Sequence, residues 1–203
     1  MLVKYDYLKV KKSIMSKAAE PEEDFSKAKA QKLREKLLSE IEEFKASRRS
    51  LQLATQSASG NLNASYAPFS LAGDGFYILV SDIARHGINL KETPEVSVML
   101  IEDEVEAKNI FARKRLTFDA HTTMLNKNTQ NFTKGIEAMA ARFGEVIDRL
   151  SILKDFNLFK LTPYHGLYVK GIGQAFSLTG SELLNLDWKR DGHQSDTSQS
   201  KQK

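Results

Sequence analysis

Between residues 51 and 176 much of the sequence falls into short alternating or wholly apolar runs, several of them set off by glycine, proline, asparagine or serine. That pattern restricts the chain to an antiparallel β architecture with few helices. Leu51, Leu53 and Thr55 alternate with small or polar neighbours, Ser59, Gly60 and Asn61 are turn-formers, and 62–69 resumes an extended pattern, which predicts a hairpin. Gly73, Asp74 and Gly75 predict a second turn ahead of a strand over 76–80. Strands follow over 96–101 and 116–120, separated by an acidic stretch, and the series closes with 156–161 and 167–176, divided by Pro163 and Gly166.

Helices are fewer. From Ser26 the residues Leu33, Leu37, Ile41 and Phe44 form one apolar stripe at helical spacing, ending near Ser47. Ser81 or Asp82 is placed to cap a short helix that stops before Lys91, with Pro94 barring its continuation. Phe132, Ile136, Met139 and Phe143 predict an amphipathic helix over 129–143, followed by a second short one near Leu150. Short strands, few helices and tight turns give a β-rich α+β fold, an antiparallel barrel with peripheral helices rather than a doubly wound sheet.

The chain has 203 residues, enough for one respectable core, and the expected organisation is a flexible extension over 1–25, one domain over 26–195 and a flexible tail over 196–203. Thirty Lys and Arg against 26 Asp and Glu describe a surface charged in both signs, which is not the footprint of a nucleic-acid binder. No run approaches the roughly 18 consecutive apolar residues of a membrane helix, and no apolar signal segment follows the basic start, so a cytoplasmic protein without membrane partners is expected. With no cysteine there can be no disulfide, thiolate zinc site, cysteine-held iron–sulfur cluster or thiolate-ligated haem, and any metal must rely on histidine, carboxylate, tyrosine or methionine.

Several local features carry two readings each. Gly171-Ile172-Gly173 resembles a dinucleotide fingerprint but lacks the third glycine and sits within a predicted strand, where a bulge or close backbone approach explains it. Arg113, Lys114 and Arg115 enter a strand, with Arg113 and Arg115 sent to one face; they are either a solvated edge or a surface for an anionic ligand. Ser81, Arg85 and His86 surround a helix start and could hold a phosphate or carboxylate, although Ser81 also reads as a cap and His86 as a packed or solvated side chain. His121 and His165 sit beside turn or strand-end residues without zinc-like spacing. By composition, His193 reads as part of a solvated tail and Asp155 as an ordinary turn carboxylate.

Taken in order, Leu51-Gln52-Leu53-Ala54-Thr55, Ser65-Tyr66-Ala67-Pro68-Phe69, Ile83-Ala84-Arg85-His86, Phe111-Ala112-Arg113-Lys114-Arg115-Leu116-Thr117-Phe118, Arg142-Phe143-Gly144-Glu145, Asp155-Phe156, Gly166-Leu167-Tyr168-Val169-Lys170-Gly171 and Gly192-His193 resemble the haem-utilisation (HutZ-like) family. The resemblance covers about residues 31 to 195. It implies the split β-barrel shared with flavin-dependent pyridoxamine-phosphate oxidases, a homodimer, and haem bound at the subunit interface. It further implies His193 as the axial iron ligand, Asp155 as acceptor of its second ring N–H, and Arg115 near the oxygen side or at a haem propionate, with His86 in or beside the haem pocket. Imidazole binds iron as the neutral ring, and a carboxylate on its other nitrogen fixes the ring and raises its basicity.

The function so implied is a haem-degrading oxygenase in which haem is cofactor and substrate. Its electrons come from an external donor, because nothing in the sequence suggests a nicotinamide site. A haem-delivery protein is a further expected partner. Two other functions fit the same resemblance: a haem carrier or storage protein without turnover, and a flavin oxidoreductase with FMN phosphate held by Ser81 and Arg85.

Overall fold

The computed structural model describes residues 20–73, 75–181, 183 and 185–189. It divides at Glu43/Phe44 into two units, the first helical over its described residues and the second holding all the strands of the described residues. The helix α1 (Glu20–Ser47) starts six residues before the expected Ser26. The run Glu20 to Asp24, with Pro21 among acids, is the sequence chemistry that a helix N-terminus favours.

The second unit takes in the end of α1 from Phe44, then the predicted hairpin, β1 (Ser50–Gln56) against β2 (Leu62–Pro68), and continues through β3 (Ser70–Ala72), β4 (Gly75–Ser81), helix α2 (Arg85–Glu92) and β5 (Glu95–Ile101). A single 3-10 turn at Ile110–Ala112 leads into β6 (Arg115–Met124). Helices α3 (Gln130–Phe143) and α4 (Val146–Ser151) follow, then β7 (Phe156–Gly171), β8 (Gln174–Thr179) and β9 (Asn185–Lys189). All pairings are antiparallel, in the order β2-β1-β5-β6-β7-β4-β3, with β8 on β7 and β9 on β8. The path does not close on itself, as expected of a split barrel with peripheral helices.

Strict alternation fills the barrel. Leu51 and Leu53 of β1, Val96, Val98 and Leu100 of β5, and Leu116, Phe118 and Ala120 of β6 are buried, while their neighbours face outward. Phe76 packs between Phe69 and Phe118 with tilted rings, centroids at 5.5 and 4.6 Å. Each such side chain stabilises the fold by roughly 1.5–3 kcal/mol through burial alone. Strand β4 is buried on both faces because its second face meets α3 and α4: Tyr77 and Leu79 cluster with Met139, Ile147 and Leu158. Helix α3 begins where the periodicity placed it, capped by the Thr129 hydroxyl, which accepts from the Phe132 amide.

One strand reading is corrected. Pro163 and Gly166 do not separate two strands but lie inside the 16-residue β7, and the true break comes at Ile172 and Gly173 between β7 and β8. Proline is tolerated because the β6–β7 register shifts between Asp119 and Ala120, where a missing N–H costs no ladder bond. Gly166 is there for packing, since a Cβ would stand 3.1 Å from both Thr117 O and Leu183 Cδ2. The Gly171-Ile172-Gly173 run is therefore a hairpin turn, with Gly173 at φ +69°, and not the interior of a strand.

Candidate functional site

Strand β4 ends at Ser81 beside the first residue of β7, Phe156, so the loops flanking these two positions are forced together. The Asp82 amide donates to Asp155 O at 2.8 Å, and Ser81 Oγ donates to Asp155 Oδ2 at 2.8 Å while accepting from the Ile83 amide at 3.1 Å. Asn157 Nδ2 donates to Asp82 Oδ1 at 2.7 Å, and Lys91 Nζ lies 2.6 Å from the same oxygen. Asp155 is thus a held carboxylate: one oxygen is fixed by Ser81, and Oδ1 accepts from no described residue. The two loops that these bonds join also carry three exposed apolar side chains, Ile83, Ile152 and Leu153.

Ser81 does not cap α2. The cap position is Ala84, without a side-chain bond, and the Ser81 hydroxyl instead closes the turn before the helix. The helix also includes Lys91 and Glu92, passing the expected end. Arg85 and His86 open it, Arg85 exposed and paired with no carboxylate among the described residues. Burial pulls the His86 imidazole below its ordinary value of 6.5, which keeps the ring neutral in the fold. Unfolded chains therefore take up a proton near pH 6.5 that folded chains refuse until the pH is lower, so the His86 contribution to stability is complete above pH 6.5 and is lost as the pH falls through the folded value. His86→Gln is expected to flatten the loss of stability between pH 7.5 and 5.5 in urea unfolding, and an unchanged pH slope would remove His86 from the account.

The remaining candidates lie elsewhere. Arg115 is the first residue of β6, on the outward face with Thr117, and its Nη1 donates to Arg113 O at 3.3 Å. Arg113 is not on that strand face as the alternation suggested. It precedes β6 and clamps the loop, donating through Nε and Nη2 to Glu102 O and lying 3.2 Å from Glu104 Oε1. Val169 pairs with Arg115, Ala175 with Val169 and Lys189 with Ala175, so Arg115 and the end of β9 occupy one end of the sheet while Asp155 precedes the other end of β7. His193 lies outside the described residues. His121 and His165 are within strands rather than at their ends; His121 Nδ1 pairs with Glu95 Oε1 and its ring stacks on Tyr164 at 4.6 Å. No group of three metal-ligating side chains exists among the described residues.

Sequence reading missed Asp82, Asn157, Lys91 and Gly87, which together position the Asp155 loop. Gly87 packs against the Ser81 backbone so closely that any Cβ would overlap the Ser81 carbonyl oxygen. A glycine inside an eight-residue helix was the available signal. Outward from the sheet, Gln52, Ala54, Ala64, Ser97, Met99 and Thr117 line an apolar hollow of about 320 Å³.

The pyridoxamine 5'-phosphate oxidase family matches residues 37–170. Heme oxygenase HutZ of Vibrio cholerae is 49% identical over 165 residues, spanning 81% of this chain and 94% of that protein. The crystal structure of HutZ, described there as a haem storage protein, superposes with a TM-score of 0.62 at 49% identity, over 71% of this chain and 96% of that one. Campylobacter jejuni ChuZ superposes with a TM-score of 0.68 at 31% identity, over 78% of this chain and 63% of its own.

Proposed function

Because the chain belongs to the pyridoxamine 5'-phosphate oxidase family, and within it to the haem-utilisation (HutZ-like) group, we propose that it binds haem and opens the macrocycle with oxygen and external electrons, releasing iron. The observation that carries this reading is the Asp155 carboxylate, steered by Ser81, on loops that also expose Ile83, Ile152 and Leu153. Haem is a flat apolar ring with two anionic propionates. Those exposed apolar side chains suit the ring, and the unpaired Arg85 suits a propionate. The free Oδ1 of Asp155 can accept an imidazole N–H, which fixes the tautomer and leaves the other ring nitrogen to the metal. Bound haem supplies the iron at which oxygen is activated.

The imidazole is that of His193 in a second copy of the chain. His193 follows Lys189 by four residues, a span of at most ~14 Å. Asp155 and Val169 are separated along β7 by fourteen residues, a contour of roughly 46 Å. Asp155 and the approach to His193 thus lie at opposite ends of β7, which favours pairing between two copies in a homodimer over pairing within one chain. The apolar hollow on the outward side of β1, β2, β5 and β6 suits such a dimer, with Arg115 two residues along β6 from its lining Thr117.

Two other functions are separable. A flavin phosphate at Ser81 and Arg85 is disfavoured because the Asp155 carboxylate, 2.8 Å from Ser81 Oγ, holds negative charge where the phosphate would sit. Carriage without turnover is decided by haem titration followed by reductant under oxygen: loss of the Soret band supports degradation, whereas a persistent band establishes carriage. His193→Ala is expected to weaken haem binding by on the order of 100-fold and to change the coordination spectrum, while Asp155→Asn keeps haem and slows turnover roughly 10–100-fold. An unaltered spectrum in His193→Ala would reject the ligand assignment.

A further inference from the structure

A cationic hollow that shares no lining residue with the Asp155 loops lies where the start of β3, the end of α3 and the segment after α1 meet. Its volume is about 500 Å³, within the range of small-molecule sites, and it is lined by Arg49, Arg142 and Ser70 with Leu71, Ala138 and Ala141 as apolar wall. No carboxylate lines it. Arg142 is held in place: Nη2 donates to the carbonyls of Ala46, at 2.9 Å, and of Arg48, and the guanidinium stands 4.9 Å from the centre of the Phe69 ring. Those bonds explain one amino group of Arg142 as a cap on the end of α1. They do not explain its neighbours. Arg49 lies 5.4 Å from the Phe143 ring centre and pairs with no carboxylate among the described residues. Ser70 is 1% exposed, and its Oγ is buried without a hydrogen-bond partner.

Two guanidinium groups lining one hollow without a lining counter-charge, backed by a buried hydroxyl that lacks a partner, form an arrangement that an oxyanion completes. Burial, and after it the charge of Arg49, pull the Arg142 guanidinium below its ordinary value, as expected where two cations share a site without an anion. We propose that Arg49, Arg142 and Ser70 form a binding site for a small organic anion, with a phosphate or carboxylate head between the guanidinium groups and a compact apolar body against Leu71, Ala138 and Ala141. This site is independent of the haem assignment.

Calorimetric titration of the full chain at fixed ionic strength tests it, with phenyl phosphate, benzoate and inorganic phosphate as probes. Saturable binding of phenyl phosphate or benzoate is expected, tighter than that of inorganic phosphate, and the stronger of the two organic probes assigns the head as phosphate or carboxylate. Arg49→Ala, an exposed position, is expected to weaken that binding at least tenfold, about the effect of losing one charge-assisted pair, while leaving the haem absorption spectrum as in wild type. Ser70→Ala is expected to weaken it several-fold without lowering the melting temperature of the ligand-free protein, because the hydroxyl has no partner to lose. Linear, non-saturating heats with all three probes, or equal affinity in wild type and Arg49→Ala, would overturn the proposal.

Discussion

Mixing His193→Ala chains with Asp155→Ala chains is expected to raise haem turnover well above that of either variant alone. If each site takes His193 from one subunit and Asp155 from the other, a mixed dimer has one site with both residues intact and one with neither. Random exchange of subunits then rebuilds about a quarter of all sites, because a two-fold dimer repeats the same contact twice. Were both residues supplied by a single chain, every site in the mixed dimer would lack one of them and activity would stay at the level of the single variants. The experiment is direct: refold or co-express the two variants, measure Soret decay with reductant and oxygen, and compare with each variant alone. Lack of recovery in verified mixed dimers would end the two-chain reading, while leaving haem binding to be judged from the spectra.

Gly87→Ala should lower stability, by about 3 kcal/mol, and the melting temperature by roughly 6–12 °C. The sign matters more than the size. In an open helix this change would stabilise by about 1 kcal/mol, because alanine is the better helix former. Here the added Cβ overlaps the Ser81 carbonyl oxygen and lies 3.1 Å from its carbon, and backbone atoms cannot turn aside as a side chain can. Relief requires α2 to move off the end of β4, which also loosens the Ser81 to Asp155 bond. The haem-binding spectrum should therefore change together with the melting temperature, and a variant as stable as wild type would refute the packing argument.

The barrel was legible because its signal is local. Leu51, Leu53 and Thr55 alternate, the turn at Ser59, Gly60 and Asn61 follows, and the observed hairpin pairs Leu51 with Ala67 and Leu53 with Ser65 as that pattern requires. Helix α3 was legible for the same reason, with four apolar residues at helical spacing behind a threonine cap. Pro163 and Gly166 misled because both punctuate most sequences, whereas here one sits at a bulge and the other makes room for Leu183. The Asp155 site could not be read from spacing at all. Its defining bond joins residues 74 apart, and it depends on β4 and β7 pairing so that Ser81 meets Phe156. Chemistry alone left Asp155 a turn carboxylate, and only the ordered likeness to the haem-utilisation family singled it out.

Strand β7 bonds to β4, β6 and β8 along its 16 residues, and it keeps the Asp155 loop and the β9 end apart. If, as proposed, each haem site takes Asp155 from one copy and His193 from another, a chain folded alone would hold no finished site. On that arrangement catalytic output per chain depends on abundance: it rises with total protein until pairing is complete and falls away on dilution, so iron would be liberated only where the protein has accumulated enough to find itself.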